Sequence, residues 1–320
     1  MQGSMDIDSS RMHLYSTDQN SIQLYKYSPE NNEENISDLS YVNNIPIVKT
    51  YNGEVIKPDN LLLHQGGKHI LLSDANSYKS ILNLDIERGI ITNKKHIHTT
   101  IGYRDPEDIN IKVNKFDYNS HSDTSKFDKY VVGINSNHVI RFDVTSGDIV
   151  NKKAYEKNPH FNSITTDYTG NTIIGDAEGK IRVYPDIEKK AVKCTAGLGN
   201  KITDIKVSST GDILATTEDY FIYYQDFVEK ENSTQFIGKI NPEVIKYLDL
   251  NNHKMKNSQF SKDEKTIITS IGKYLFYWNI NKLIAEEQEY IIYEADKPII
   301  SHKFVDGQFI LMDKPVKIAL

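Results

Sequence analysis

The chain has 320 residues, a formal net charge of −6 and 38 % hydrophobic residues. An isoelectric point near 5.9 offers no electrostatic basis for binding nucleic acid or an anionic membrane surface. The single cysteine, Cys194, excludes an internal disulfide and a cysteine-based zinc site. Because no apolar run approaches the roughly 18 residues of a spanning helix and no signal peptide is visible, we expect a cytoplasmic protein without direct membrane insertion.

The sequence of the N-terminal part of the chain indicates a short tag followed by the first β-sheet. Residues 1–5 resemble a cloning remnant, and we predict a single domain over residues 6–320. Apolar runs at Met12–Tyr15 and Ser21–Tyr27 predict a hairpin. The extended segment Asn44–Val48 then completes this first sheet, or part of it.

Four segments follow that each contain three short β-branched or apolar runs separated by polar turns. They span residues 57–95, 96–150, 151–196 and 197–240. In the second segment we place the first strand at Ile109–Val113, ahead of a polar insertion at residues 119–125. The third run of each segment carries a large apolar anchor, in order Leu84, Phe142, Tyr184 and Tyr224.

The same pattern returns after an interruption at residues 241–254, where Asn241-Pro242 favours the start of a helix. It is clearest at residues 257–280, where the third run holds the only tryptophan, Trp278. A helical turn is predicted near residues 282–288. Three last strands are predicted at residues 299–304, 308–312 and 316–320, with no fourth strand after them.

Strands, turns and anchors recur together at intervals of roughly 40–60 residues, close to the repeat length of WD40-type propellers. We therefore predict an all-β fold, a WD40-like β-propeller with seven blades of four-stranded antiparallel sheet. The alternative is a ring of six blades in which the two termini share one blade. In either case the first and last blades must meet, because only a closed ring removes open sheet edges.

Several motifs occur in an order that resembles a known family. They are Leu82–Gly89, Gly179–Tyr184, Ile205–Thr216 and Glu264–Ser270 with Trp278-Asn279. This order resembles the C-terminal propeller of the family of the fungal vacuolar import and degradation protein number twenty-seven. The resemblance covers the chain from about residue 57 to the end, and more loosely from residue 12.

The resemblance implies a cytosolic, non-catalytic protein. In fungi the family is linked to vesicle-dependent delivery of gluconeogenic enzymes to the vacuole for degradation. Its full-length members carry an N-terminal region with a pleckstrin-homology-like part, so any association with vesicles is expected through regions outside this sequence. The family supplies no catalytic or ligand residues to carry over.

The residues themselves favour binding over catalysis. No constellation for hydrolysis, phosphate cradling or metal ligation stands out, so we expect no catalytic residue, no metal site and no cofactor. The candidate partner-binding residues are Arg141 and Arg182 in third strands and Lys180 and Lys201 in connecting loops, since interfaces enrich arginine and loops carry function on rigid scaffolds.

Each of these expectations has an alternative. The two arginines could instead pack their stems between blades, with their heads in solvent or on a neighbouring carboxylate. We expect a monomeric scaffold whose loops on one face bind a protein partner. The rival hypothesis is a propeller with an enzymatic or small-ligand-binding site in its central channel.

Overall fold

The structure, a computed structural model, describes residues 5–8, 11–18, 21–27, 39–45, 53, 55–64, 68–74, 80–96, 115–118, 130–135, 137–143, 149–228, 230, 233–304, 308–312 and 315–318. Every structural statement below concerns these residues. Within them, no helix combines the length and the apolar character that crossing a membrane requires.

The described residues form seven antiparallel sheets, and the strands follow one another in chain order within each sheet. We number the sheets as blades 1 to 7. Blade 1 consists of β1 (Met5–Asp8), β2 (His13–Asp18), β3 (Ser21–Tyr27) and β4 (Leu39–Ile45). Blade 2 consists of β5 (Pro58–His64), β6 (His69–Asp74), β7 (Ser80–Asp85) and β8 (Ile90–His96). Blade 3 consists of β9 (Lys115–Tyr118), β10 (Tyr130–Ile134), β11 (His138–Asp143) and β12 (Ile149–Ala154).

Blades 4 to 6 also have four strands, whereas blade 7 has three strands in the described part of the chain. Blade 4 consists of β13 (Phe161–Thr166), β14 (Thr172–Asp176), β15 (Ile181–Tyr184) and β16 (Lys193–Cys194). Blade 5 consists of β17 (Asp204–Val207), β18 (Ile213–Thr216), β19 (Phe221–Gln225) and β20 (Thr234–Gly238). Blade 6 consists of β21 (Met255–Phe260), β22 (Thr266–Ile271), β23 (Tyr274–Asn279) and β24 (Tyr290–Glu294), and blade 7 of β25 (Ser301–Phe304), β26 (Gln308–Leu311) and β27 (Pro315–Ile318). Two short helices are α1 (Pro242–Tyr247), before β21, and α2 (Ile280–Ile284), after β23.

The apolar core is divided among seven clusters of buried side chains, one at each seam between neighbouring blades. One of them joins Met5 and Tyr27 of blade 1 to Ile300 beside blade 7. The sheets therefore close into a ring, and the predicted all-β, WD40-like propeller is confirmed. Six blades have the predicted four strands, and the sheet at the C-terminus shows three, as its sequence pattern indicated.

The five predicted anchors explain how neighbouring blades pack. Leu84, Phe142, Tyr184, Tyr224 and Trp278 are each at most 3 % exposed. Each belongs to the cluster shared with the preceding blade. Trp278 meets Phe221 of blade 5 edge to face with ring centroids 5.1 Å apart, and its indole N–H donates to Thr269 Oγ1 at 3.1 Å. Both the apolar surface and the polar atom of this side chain are thus accommodated.

The recurring turn motifs also have a common physical basis. Side-chain oxygens of Asp167, Ser208 and Ser261 each accept a hydrogen bond at 2.9–3.0 Å from a backbone N–H four or five residues later. Such local bonds favour turns over continued strand. The residue closing each turn has a positive φ: Gly170 (86°), Gly211 (85°) and Glu264 (55°).

One acidic residue that the sequence did not single out also contributes to ring closure. Asp6 of β1 is 8 % exposed. Its Oδ2 accepts a hydrogen bond from the Leu63 N–H of blade 2 at 2.9 Å, and its Oδ1 pairs with Lys303 Nζ of blade 7. One carboxylate therefore links three consecutive blades across the junction of the two chain ends.

Some predicted boundaries differ from the structure. The third blade extends past residue 150, because Asn151 pairs with Arg141 in the ladder of β11 and β12. The strand predicted at Ile109–Val113 and the insertion at residues 119–125 lie outside the described residues; the first described strand of that blade is β9. The helix predicted at Asn241-Pro242 is present, with the Asn241 side chain capping α1. The cloning remnant stays a prediction, and Met5 begins β1.

The chain order defines two faces of the ring. Antiparallel hairpins alternate between the two ends of their strands. The upper face is the face of the ring that carries the turns between second and third strands and the connections from one blade to the next. The lower face carries the turns between first and second strands and those between third and fourth strands.

Candidate functional site

The turn at residues 176–179 and the connection at residues 197–201 form one unit on the upper face. The Gly199 N–H donates to the Glu178 carbonyl at 3.0 Å, and the Ile202 N–H to the Asp176 carbonyl at 3.1 Å. Gly179 has a φ of 80°, and a Cβ there would lie 2.8 Å from the carbonyl oxygen of Asn200. Only glycine permits both this backbone conformation and this close approach.

A buried ion pair stabilises the turn at residues 176–179. Asp176 is 1 % exposed, and its Oδ1 accepts hydrogen bonds from the Glu178 and Lys180 N–H groups at 3.0 and 2.9 Å. Its Oδ2 accepts one from Arg182 Nη1 at 2.6 Å. Burial lowers the pKa of Arg182, but the hydrogen bond and charge of Asp176 outweigh it and raise the pKa overall.

The Arg182 head therefore belongs to the seam between blades 3 and 4. Its guanidinium also lies over the Phe161 ring, 5.5 Å from the centroid. This is the structural alternative considered for the arginines: a stem between blades and a head on a carboxylate.

Lys180 and Lys201 emerge from the unit toward solvent. The Lys180 side chain is 36 % exposed and pairs with Glu178, which is 67 % exposed. Their hydrogen bond raises the pKa of Lys180 and lowers the pKa of Glu178. Lys201 is exposed in the connection itself. The structure therefore places both lysines together on the upper face.

Further groups on the upper face surround this unit. Asn200 Nδ2 donates to Asp219 Oδ2 at 3.4 Å, which ties the connection to the next blade. Leu198 is 37 % exposed, and Tyr247 of α1 is 87 % exposed. We call residues 176–180, 197–201, 218–219 and 242–248 the upper surface of blades 4 to 6. It mixes cationic, acidic and apolar groups.

Arg141 lies in the same seam as Arg182 but toward the lower face. Its guanidinium stacks on the Tyr130 ring at 4.4 Å from the centroid. It lines a cavity of about 250 Å³ together with Asn151, Thr172, Asp186 and three neighbours, Gly170, Pro185 and Ile187. Burial lowers the pKa of Arg141, and the charges of Tyr130 and Asp186 offset only part of this effect. The structure thus separates the two arginines and does not bring Arg141 to the lysines.

The rival, catalytic hypothesis predicts titratable side chains that converge on the central channel. No group of three or more His, Cys, Asp or Glu that could hold a metal occurs among the described residues. The fully buried His302 of β25 is bonded at both ring nitrogens, to Ser270 Oγ and to the Ile268 carbonyl oxygen, each at 3.1 Å. Burial lowers its pKa to about 4, so it serves the seam between blades 6 and 7 as a neutral imidazole.

Sequence reasoning missed the side chains that tie outer strands to the following blade. Lys193 of β16 donates to the Phe227 and Lys230 carbonyl oxygens of blade 5 at 2.6 and 2.7 Å. Gln288 of blade 6 accepts from the Lys239 N–H at 3.1 Å and donates to the Ile237 carbonyl at 3.0 Å. A lone lysine or glutamine carries no sequence signal for such a role.

Comparison with known proteins identifies relatives over most of the chain. The family described as VID27 C-terminal WD40-like domain matches residues 7–242. The chain is 24 % identical to vacuolar import and degradation protein 27 of Saccharomyces cerevisiae, over 96 % of this chain and 41 % of that protein. It is 23 % identical to the protein of the same name in Schizosaccharomyces pombe, over 82 % of this chain and 34 % of that protein. The chain thus spans well under half the length of these relatives.

A solved structure is similar in fold. The β-propeller domain of Cps50 (Swd1) from Myceliophteria thermophila superposes with a TM-score of 0.67 at 10 % sequence identity, covering 98 % of this chain and 94 % of that one. At this identity the likeness concerns the fold alone.

Proposed function

Since the chain belongs to the VID27 family, as its C-terminal WD40-like domain, we propose that it is a non-catalytic scaffold that binds a protein partner. In this proposal it acts in the process named in both curated relatives, vacuolar import and degradation. In this proposal the protein works in the cytoplasm. The domain itself is a monomer.

The observation that supports this proposal most is the upper surface of blades 4 to 6. Two loops from different parts of one blade are locked together by backbone hydrogen bonds and by the close fit at Gly179. A rigid surface loses little conformational entropy on binding, which favours affinity. Exposed Lys201, Leu198 and Tyr247 present a charge, an aliphatic group and an aromatic ring, and tyrosine is enriched among the residues that anchor protein interfaces.

Site-specific photo-crosslinking in cells tests this assignment. A photoreactive amino acid would replace Lys201 in the chain, or Lys265 of the lower face as the matched control, since Lys265 is 77 % exposed. We expect position 201 to yield a crosslinked protein that position 265 does not. In the chain that carries the photoreactive residue at position 201, the charge reversal Lys180→Glu should weaken that crosslink while the thermal midpoint stays unchanged, because surface substitutions shift stability by about 0.5 kcal/mol or less.

Two results would count against the proposal. The first is equal crosslinking from both positions, or from neither. The second is catalytic turnover by the purified domain that a single substitution in the central channel abolishes, which would favour the rival hypothesis.

A further inference from the structure

The outer edge of blade 7 differs from the outer edges of the other blades. Its sheet ends at the third strand, β27, in the described part of the chain, whereas the sheets of the other six blades have four strands. Neighbouring strands of a sheet lie about 4.8 Å apart. A fourth strand beside β27 would therefore lie between the outer strands of the two flanking blades, β24 of blade 6 and β4 of blade 1. We call this position the outer gap of blade 7.

The wall of the gap on blade 6 is apolar and exposed. Ile291 of β24 pairs with Tyr277 of β23 in the ladder, and Tyr277 packs against the core cluster between blades 6 and 7, so both side chains face blade 7. Ile291 is 74 % exposed. The equivalent residue of blade 5, Phe236, pairs with Tyr223 and packs against the cluster of the next seam. Where the following blade has a fourth strand, this position is thus partly covered.

The hydroxyl group of Tyr277 adds a polar requirement. Its Oη is buried and has no hydrogen-bond partner among the described residues, whereas the Tyr223 hydroxyl, at the same position of blade 5, donates to Asp212 Oδ2 at 2.8 Å. Burial raises the pKa of Tyr277, so its hydroxyl keeps the proton and can donate it. A buried hydroxyl without a partner is unfavourable, and an acceptor on an occupant of the gap would remove that cost.

The wall on blade 1 is also apolar. Tyr41 of β4 lies opposite Tyr25 in the ladder, and their rings meet edge to face with centroids 5.6 Å apart. Tyr25 belongs to the cluster between blades 7 and 1, so Tyr41, which is 56 % exposed, faces blade 7. A strand in the gap points successive side chains to opposite walls. Both walls are apolar or aromatic, so successive residues of the occupant must be apolar or aromatic as well.

The charge at the lower end of the gap restricts the occupant further. Glu289, directly before β24, has a side chain that is 66 % exposed. Lys282 Nζ lies 2.7 Å from Glu287 Oε2 and 3.8 Å from Glu289 Oε2. One lysine between two carboxylates leaves a negative charge at this end. A basic residue at the corresponding end of the occupant is complementary to it, whereas an acidic residue is repelled.

We propose that the outer gap of blade 7 binds an extended segment of a partner protein, which adds to β27 as the fourth strand of the blade. The segment has about the length of β20 and β24, five residues each, with a basic residue at the end near Glu289. In strand addition the backbone hydrogen bonds provide affinity and the side-chain contacts provide specificity. This site goes beyond the proposed function, because it shares no residue with the upper surface of blades 4 to 6.

Amide hydrogen exchange of the whole chain tests the strand addition. The probe is the capped peptide Lys-Tyr-Ile-Ile-Tyr-Thr, which carries the apolar run of β24 behind a basic residue. The control peptide has methylated backbone nitrogens at both isoleucines, which removes an N–H donor from each edge of the strand and keeps the side chains. We expect the probe to slow exchange at residues 316–318 and the control to bind at least ten-fold more weakly.

Two matched variants connect the binding to the wall of the gap. Ile291→Thr keeps a β-branched side chain and removes apolar surface, and it should weaken binding of the probe at least five-fold. Val192→Thr is the control, because Val192 is 70 % exposed on blade 4, away from the gap, and it should leave binding unchanged. Glu289→Lys should also weaken binding, and more so at low ionic strength.

Four results would overturn the proposal. The first two are equal binding of the probe and the methylated peptide, and binding of neither peptide. The third is slow exchange of every amide at residues 316–318 in the free protein, which would show that this chain fills the gap itself. The fourth is a concentration-dependent dimer that Ile291→Thr disrupts, which would make a second copy the occupant.

Discussion

Two arginines lie in one seam, and their surroundings differ. At the upper end, Arg182 meets a carboxylate that is 1 % exposed and whose oxygens all have donors within 3.0 Å. At the lower end, Arg141 stacks on a tyrosine and faces a cavity of about 250 Å³. Between them lies an apolar layer with Val132, Val139 and Ile174. The same residue type thus stabilises the fold at one end and lines a cavity at the other.

This difference shows that the groups around an arginine decide whether it forms a buried ion pair or lines a cavity. A buried charge is tolerated when it is paired and hydrogen-bonded, and Asp176 supplies both conditions for Arg182. Asp186 lines the cavity beside Arg141, and its charge raises the pKa of Arg141 only enough to offset part of the effect of burial. The following predictions test this contrast, from the largest expected effect to the smallest.

Arg182→Met should destabilise the domain by about 3–4 kcal/mol, because it leaves the Asp176 charge buried without its partner. The double variant Arg182→Met/Asp176→Asn should recover part of this loss, since Asn retains an oxygen for the two backbone N–H groups and carries no charge. Denaturant unfolding of the three proteins measures these differences. A double variant less stable than the single one would show that the pair does not act as a buried charge pair.

The seam between blades 6 and 7 gives a third case, in which a titratable imidazole is fully buried. The pKa of His302 is about 4 in the fold against about 6.5 in an unfolded chain. Below pH 6.5 the unfolded chain binds a proton that the folded one does not. Stability should therefore fall as the pH decreases from 6.5 to 4, by about 3 kcal/mol in total.

The pH dependence of unfolding for the protein and for His302→Gln isolates this contribution from those of the carboxylates. The variant should show a smaller loss between pH 6.5 and 4. Parallel curves would show that His302 is not held neutral in the seam.

Gly179→Ala should cost about 2 kcal/mol, from a left-handed backbone conformation and from the clash of its Cβ with the Asn200 carbonyl. Gly199→Ala is the matched control, because its φ of 86° is similar and its Cβ would have no heavy atom within 4 Å. Thermal unfolding should rank Gly179→Ala below Gly199→Ala. Equal losses would show that the turn and the connection do not pack as one unit.

Arg141→Met should destabilise the domain by less than Arg182→Met, because burial disfavours the charged form of Arg141 by more than its neighbours offset, so that a neutral side chain recovers part of what is lost. The same unfolding measurement as for Arg182→Met provides the comparison. A loss as large as that of Arg182→Met would mean that both ends of the seam are structural. The lower cavity would then owe its shape to Arg141.

Sequence reasoning reached the architecture and the packing anchors but not the division of roles among the charged residues. Trp278 and Tyr184 were recognisable because large apolar residues recurred at the same place in each repeat. Asp6, Lys193 and Gln288 escaped notice because each acts once, on a blade distant in sequence. Arg141 and Arg182 looked alike in the sequence, since both occupy third strands between apolar neighbours.

The amino-acid sequence by itself determined the repeat, the order of strands within each blade, and the turn chemistry of residues such as Asp167 and Gly179. These features are local: they follow from the alternation of side chains along a strand and from backbone preferences within a few residues. The tertiary structure alone decided that the turn before Lys180 and the connection that holds Lys201 are hydrogen-bonded into one unit and that Asp6 joins both chain ends. It also decided that Arg182 has a buried partner while Arg141 faces a cavity. Those outcomes depend on which blades become neighbours when the ring closes, and contacts between residues far apart in the chain leave no periodic trace in it.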